Sequence, residues 1–207
     1  MFIDENGQQE QGIDGGGLSR ELMTLLQRQL LSPTTGLFRA TKKGELYPAY
    51  TDLSEVLQRR YRFVGQVLGR LLLTEQLCEA PFAPFFLNLL LKSPWRLSDV
   101  RHRSEEMYRS LLYLRSRATD EELAEYTMSI QYRNGDDDEM KTYLFQENGD
   151  KVSVRRDTVQ LYTQYVAQFY LCDSILQATS CIQVGMRDVL SSIDFSLFDA
   201  VGVLSGA

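Results

Sequence analysis

The helical pattern running from about Asp52 to Leu77 constrains this chain most, because two glycines, Gly65 and Gly69, stand four apart in its middle. Val56, Leu57, Tyr61, Val64, Val67, Leu68, Leu71 and Leu72 recur at the helical period around them. Each glycine lowers helix propensity and gives no side chain to a core, so the pair predicts a crossing where a second helix comes close. The same G-x-x-x-G spacing also marks helix pairs in membranes. Arg59, Arg60, Arg62 and Arg70 exclude that reading.

Other helical segments are available to pack there. Leu18, Leu22, Leu25, Leu26 and Leu30 predict one apolar face on a helix over 18–31, stopped by Ser32-Pro33. Leu37–Ala40 and Glu45–Pro48 read as short strands of a hairpin with Gly44 in its turn. Pro81 and Pro84 punctuate the chain, and Phe82, Phe85, Phe86, Leu87, Leu89, Leu90 and Leu91 predict a very apolar helix destined for the core. From Arg156 the helical period returns and runs to Gly185.

Between these lies a stretch of different texture. A helix from Ser104 to about Arg117 carries Met107, Tyr108, Leu111, Leu112 and Leu114, and Thr119-Asp120-Glu121-Glu122 is a capping-box pattern that starts another. Tyr126, Met128, Ile130 and Tyr132 alternate with polar residues at the period of a half-buried strand. Asn134-Gly135 and Asn148-Gly149 flank a second strand, Met140–Phe145. The expected fold is α+β, mainly α. A large helical subdomain takes residues 1–102 and 155–207, and a small α/β subdomain, 103–154, is inserted in it.

With 207 residues, 43% of them hydrophobic, the chain can bury a real core. A net charge of -6 argues against a nucleic-acid partner, which needs clustered Lys and Arg. No apolar run approaches the roughly 20 residues of a membrane helix. No signal-peptide pattern follows Met1, so the expected setting is intracellular, in cytoplasm, nucleus or both. Cys78, Cys172 and Cys181 are widely spaced and His102 is the one histidine, which makes zinc and disulfides improbable. The cysteines read as buried and inert, and His102 as a surface residue.

The Asp14–Gly17 run precedes a helix but lacks the lysine of a P-loop, and reads as a helix entry. Asp136-Asp137-Asp138-Glu139 lacks calcium-loop spacing and reads as a hairpin tip. Nothing composes a catalytic, cofactor or metal site, so the pattern is that of a binding domain. The group that invites a functional reading is Met107, Leu111, Tyr126, Met128 and Tyr162. A subdomain of about 50 residues has little interior, so some of these face a protein partner.

Read in order, Asp14-Gly15-Gly16-Gly17-Leu18-Ser19-Arg20-Glu21, Pro33-Thr34-Thr35-Gly36-Leu37-Phe38 and Leu46-Tyr47-Pro48 resemble the opening of the HECT ubiquitin-ligase domain. The resemblance continues through Phe63–Gly69, Pro81-Phe82 to Leu91, Tyr108-Arg109-Ser110-Leu111 and Glu147-Asn148-Gly149-Asp150, and ends on Phe198–Gly206, similar to the close of that family's larger lobe. It implies the amino-terminal lobe of such a ligase, whose small subdomain receives a ubiquitin-conjugating enzyme. By motif order the groove for that enzyme would involve Met107, Leu111 and Tyr162, with Arg117, Glu125 and Thr127 at further positions where family members often carry apolar or aromatic groups.

The resemblance also implies a relay. Ubiquitin passes from the conjugating enzyme to a ligase cysteine in a second lobe, and then to a lysine of a protein substrate chosen by regions outside this chain. None of the three cysteines matches that ligase motif, so the chain by itself is expected to form no ubiquitin thioester. Two other classes are a non-catalytic helical interaction module and a stand-alone cysteine enzyme using Cys172 or Cys181.

Overall fold

The computed structural model describes residues 17–135 and 138–190; residues 14–16, 136–137 and 198–206, to which sequence readings attach, lie outside the described residues. In chain order the described elements begin α1 (Gly17–Leu30), β1 (Phe38–Ala40), β2 (Leu46–Pro48), α2 (Glu55–Leu73), α3 (Pro84–Leu90) and α4 (Val100–Arg103). They continue α5 (Glu105–Ser116), α6 (Asp120–Ala124), β3 (Ser129–Arg133), β4 (Met140–Leu144), α7 (Val159–Gln168) and α8 (Ser174–Val189). The fold is mainly helical with a small inserted antiparallel β unit, as the patterns predict.

The crossing predicted by the glycines is between α2 and α8. A Cβ added at Gly65 would run into the Ile182 carbonyl, and one at Gly185 into the Arg62 carbonyl, so the two backbones touch. Gly69 is less crowded, with Met186 O at 3.1 Å from an added Cβ. Ser54 caps α2 by accepting the Leu57 N–H, and the helix ends at Leu73 instead of Leu77 because Glu75 adopts a left-handed φ of 53°.

Tyr61 ties α2 to the first hairpin. Its hydroxyl donates to Leu37 O at 2.5 Å and accepts the Ala49 N–H at 3.2 Å, and burial pushes its pKa up. Phe38 packs at 5.9–6.3 Å from the rings of Tyr61, Phe82 and Phe86. Phe82 itself is extended and bridges Leu46, so the apolar helix starts at Pro84, where proline suits the first helical position.

The inward face of α1 differs from the expected stripe. Leu26 and Leu30 pack on the core with Met23, but Leu18, Leu22 and Leu25 are exposed, the last two at 57%. The reason is Gln27, buried beside them, whose amide oxygen accepts the Glu79 N–H at 3.2 Å. Rotating the helix to bury the other leucines would strand that polar group.

In the small unit β3 and β4 pair in register from Ser129↔Leu144 to Arg133↔Met140. Alternation sends Tyr132 and Tyr143 down onto Phe169, with ring centres at 5.3 and 4.8 Å. Phe169 belongs to a π-helical turn, Phe169–Asp173, that joins α7 to α8. Asn134, in the turn after β3, accepts the N–H groups of Thr51 and Asp52 at 2.8 and 2.9 Å and donates to Asp52 O at 3.0 Å. The hairpin is thereby latched to the loop before α2.

Overpacking a tight helix contact costs about 1–3 kcal/mol, against which alanine returns up to about 1 kcal/mol of helix propensity. Gly65→Ala and Gly185→Ala are therefore expected to destabilise by about 2 kcal/mol and Gly69→Ala by well under about 1 kcal/mol. Urea unfolding of the three variants measures this. Equal losses at all three sites would rule out the crossing as the cause.

Candidate protein-docking surface

The face that α5, α6 and α7 present begins with a phase mismatch on α5. Its helical period buries Leu111 and Leu114 and leaves Met107 half-buried. Leu112 and Tyr113 fall off that period and stand exposed, Leu112 at 40%. Ser104 starts the helix by accepting the Met107 N–H at 3.2 Å, with Glu105 and Glu106 in the first turn.

Tyr113 is held in place from the side. Its hydroxyl donates to the Glu122 carboxylate at 2.9 Å, while that carboxylate also accepts the Thr119 N–H at 2.7 Å in the capping box predicted for α6. The contact raises the Tyr113 pKa; the Thr119 N–H and then the Tyr113 hydroxyl lower that of Glu122. Tyr126, 41% exposed, lies over Tyr162 with ring centres 6.0 Å apart. Tyr162 in turn meets Phe145 edge-on at 6.0 Å. Arg115 fastens α5 to α7 by donating to Thr163 Oγ1 at 2.6 Å and Gln160 O at 3.2 Å.

The six residues expected at a groove are placed in two groups. Met107, Leu111 and Tyr162 lie inward, Leu111 3% and Tyr162 6% exposed, so they form the support under the surface. Arg117 and Glu125 are exposed at the ends of α5 and α6, and half-buried Thr127 pairs its hydroxyl with Ser129 at 2.9 Å while bridging to Ser153. Met128 is core. Exposed apolar side chains near them include Leu112, Tyr113 and Tyr126, with Leu144 and Leu161 at the end of β4 and on α7. The signal for Leu112 and Tyr113 was their position out of phase with Leu111 and Leu114.

Among the described residues no three metal-ligating side chains gather, and no helix is long and apolar enough to cross a membrane. A cavity of about 520 Å³ between α2 and α8 is lined by Arg59, Arg62 and Cys181, but the arginines are engaged by Glu55 and, at 2.7 Å, Asp188. Burial raises the thiol pKa of all three cysteines, that of Cys172 to about 11. Cys78 is buried as expected, whereas Cys172 and Cys181 are half-buried. His102, expected on the surface, is half-buried with Nδ1 shielded and without a hydrogen-bond partner among the described residues.

Burial also raises the Tyr162 pKa, to about 12. A folded-state pKa above the unfolded value of about 10 means stability that is intact below pH 10 and lost as pH rises toward 12. The native chain is expected to lose about 2 kcal/mol over that window through this group, and Tyr162→Phe to lose less. Urea midpoints against pH for the two proteins test this; identical alkaline profiles would exclude Tyr162 as the source.

A family model described as HECT-domain (ubiquitin-transferase) matches residues 24–203. Over 184 residues the chain is 30% identical to the probable E3 ubiquitin protein ligase C167.07c of Schizosaccharomyces pombe, covering 82% of this chain and 17% of that one. It is 29% identical over 206 residues to the E3 ubiquitin-protein ligase HUL5 of Saccharomyces cerevisiae, covering 97% and 22%. Ubiquitin-protein ligase E3B of Homo sapiens is 25% identical over 199 residues, covering 91% and 18%. The chain thus spans about a fifth of the length of these relatives.

Proposed function

Because this chain belongs to the HECT-domain (ubiquitin-transferase) family, we propose that its helix–hairpin unit is the platform on which a ubiquitin-conjugating enzyme docks. The observation that carries this reading is the set of apolar side chains left outside a well-packed unit: Leu112, Tyr113 and Tyr126 on a floor of Leu111 and Tyr162. Aromatic and aliphatic groups held rigid from below suit a protein partner, since little side-chain entropy remains to be lost on binding. Glu125 and Arg117 form a polar rim that selects among conjugating enzymes.

In the whole protein, ubiquitin passes from the docked enzyme to a ligase cysteine and then to a substrate lysine. The thiolate is the attacking species, and burial, full for Cys78 and partial for Cys172 and Cys181, raises all three thiol pKa values away from that form. We therefore assign the acceptor cysteine to a part of the protein outside this chain, and to this chain the presentation of the donor. The setting is intracellular, where conjugating enzymes work. Substrate choice rests with other regions.

Titration of a panel of ubiquitin-conjugating enzymes against the chain tests the reading. Binding by at least one is expected, and Leu112→Ala and Tyr126→Ala should each weaken it about tenfold, the effect of a modest anchor. Met107→Ala should weaken it less, through loss of support. Failure of the whole panel to bind would return the chain to a helical interaction module with another partner. Unchanged affinity in both exposed variants would move the site elsewhere.

A further inference from the structure

Two of the eleven tyrosines stand exposed among the described residues, Tyr113 and Tyr126, and both lie on the face proposed for docking. Their hydroxyls differ. That of Tyr113 donates to the Glu122 carboxylate at 2.9 Å. Tyr126 is held by its ring, on Tyr162, and by its backbone: its N–H bonds Leu123 O at 3.0 Å and its carbonyl accepts the Val154 N–H at 2.8 Å. Its hydroxyl makes no hydrogen bond among the described residues. A phenol fixed from below and unbonded at its oxygen is open to a reagent coming from solvent.

The charges around that oxygen are uneven. Asp120, Glu121, Glu122 and Glu125 all stand in the six residues before Tyr126. Asp120 is paired with Arg156 at 3.2 Å, and Glu122 holds the Tyr113 hydroxyl and the Thr119 N–H. Glu121 and Glu125 are exposed and make no ion pair among the described residues. Of the cations, Arg155, next to Val154, is occupied by Asp157 at 3.5 Å. Arg117, exposed at the end of α5, makes no ion pair among the described residues. The Tyr113 hydroxyl, whose pKa is raised first by its bond to Glu122, also feels Arg117 and Tyr126, so these side chains gather around it.

We propose that Tyr126 is a phosphorylation site and that its phosphate switches the docking face off. The switch rests on the docking reading. A protein tyrosine kinase supplies the group from a nucleoside triphosphate. The Tyr126 oxygen bonds the γ-phosphorus, the bridging bond to the nucleoside diphosphate breaks, and the hydroxyl proton passes to the kinase's base. The acids before Tyr126 suit a kinase whose substrate cleft is basic, and α6 has five residues, so little helix must open to admit the segment. The product carries a charge of about -1.5 to -2 at pH 7 on a ring that was an apolar contact. Covering it with a partner would strip its water, and Glu122 and Glu125 oppose what Arg117 gives back. Arg117 turns to the phosphate and leaves the polar rim.

The test begins with the native 207-residue chain, Mg-ATP and a panel of protein tyrosine kinases, with phosphate located by mass spectrometry. Tyr126 is expected to take phosphate ahead of Tyr113; a chain left unmodified at Tyr126 by the whole panel would overturn the proposal. Phosphotyrosine placed at position 126 during translation then gives homogeneous protein for titration with a conjugating enzyme that binds the native chain. At least about tenfold weaker binding is expected, the loss of an anchor, with native affinity restored by a tyrosine phosphatase. In NMR spectra the Arg117 Nε signal should move downfield on phosphorylation while those of Gly65 and Gly185 stay in place. Equal affinity of the two forms, or an unmoved Arg117 signal, would overturn the switch and leave the docking reading standing. Movement of the two glycine signals would assign the loss to unfolding and overturn it as well. Binding of no conjugating enzyme by the native chain would remove the docking reading and the switch together.

Discussion

Everything else in the fold is positioned by the crossing of α2 and α8, where Gly65 and Gly185 let the two backbones touch. Such a contact has almost no tolerance, because no side chain intervenes to absorb a shift. Its angle is therefore carried outward. From α2, Tyr61 reaches the Leu37 carbonyl and the Ala49 N–H and so sets the first hairpin. From α8, the chain leads back through the π-helical turn, whose Phe169 is the seat of the second hairpin. Arg62 and Gln66 on one helix and Asp188 on the other close the solvent edge at 2.7–3.0 Å. Those bonds are largely exposed and add little energy, but they add direction.

The small unit hangs on that frame by contacts of unequal weight. The Lys141–Asp52 ion pair is partly exposed and contributes about 0–1 kcal/mol. Asn134 makes three half-buried hydrogen bonds to the loop before α2, each worth about 1 kcal/mol. The stack of Tyr132 and Tyr143 on Phe169 supplies apolar area that the polar contacts lack. The rings hold the unit down and Asn134 fixes its rotation. A docking surface needs both, since a platform free to swing would lose entropy again when its partner binds.

Local patterns made much of this legible. The paired glycines foretold the tight crossing, alternation foretold β3 and β4, and the capping box foretold α6. What they could not convey was which of several apolar faces turns inward. On α1 the inward face is chosen by the Gln27–Glu79 bond, which joins residues 52 apart in sequence. On α5 it is chosen by α7, and so Leu112, read in one apolar pattern with Leu111 and Leu114, stands exposed beside Tyr113 while Leu111 and Tyr162 lie beneath. Asn134 read as a turn residue; its bonds to Thr51 and Asp52 span 83 and 82 residues. The motif order named the family, yet it transferred positions without their exposure.

The aromatic rings of the small unit are continuous in a way that local patterns do not reveal. Tyr126 rests on Tyr162, Tyr162 on Phe145, Phe145 on Tyr143, Tyr143 on Phe169, and Phe169 on Tyr170, with successive centres 4.8–6.0 Å apart. The row starts at the exposed face proposed for docking and ends beneath the Arg103 guanidinium. Aromatic side chains have two rotatable bonds and fill their sites closely, so a row of them resists displacement better than aliphatic groups of equal area. Tyr126 can therefore remain exposed without becoming loose. The rigidity of the outermost ring derives from rings that never reach solvent fully, and through them from the π-helical turn between α7 and α8. Ordering of the face proposed for docking is thus a property of the buried frame, and the glycine crossing that fixes α8 also steadies, through this row of rings, the exposed Tyr126.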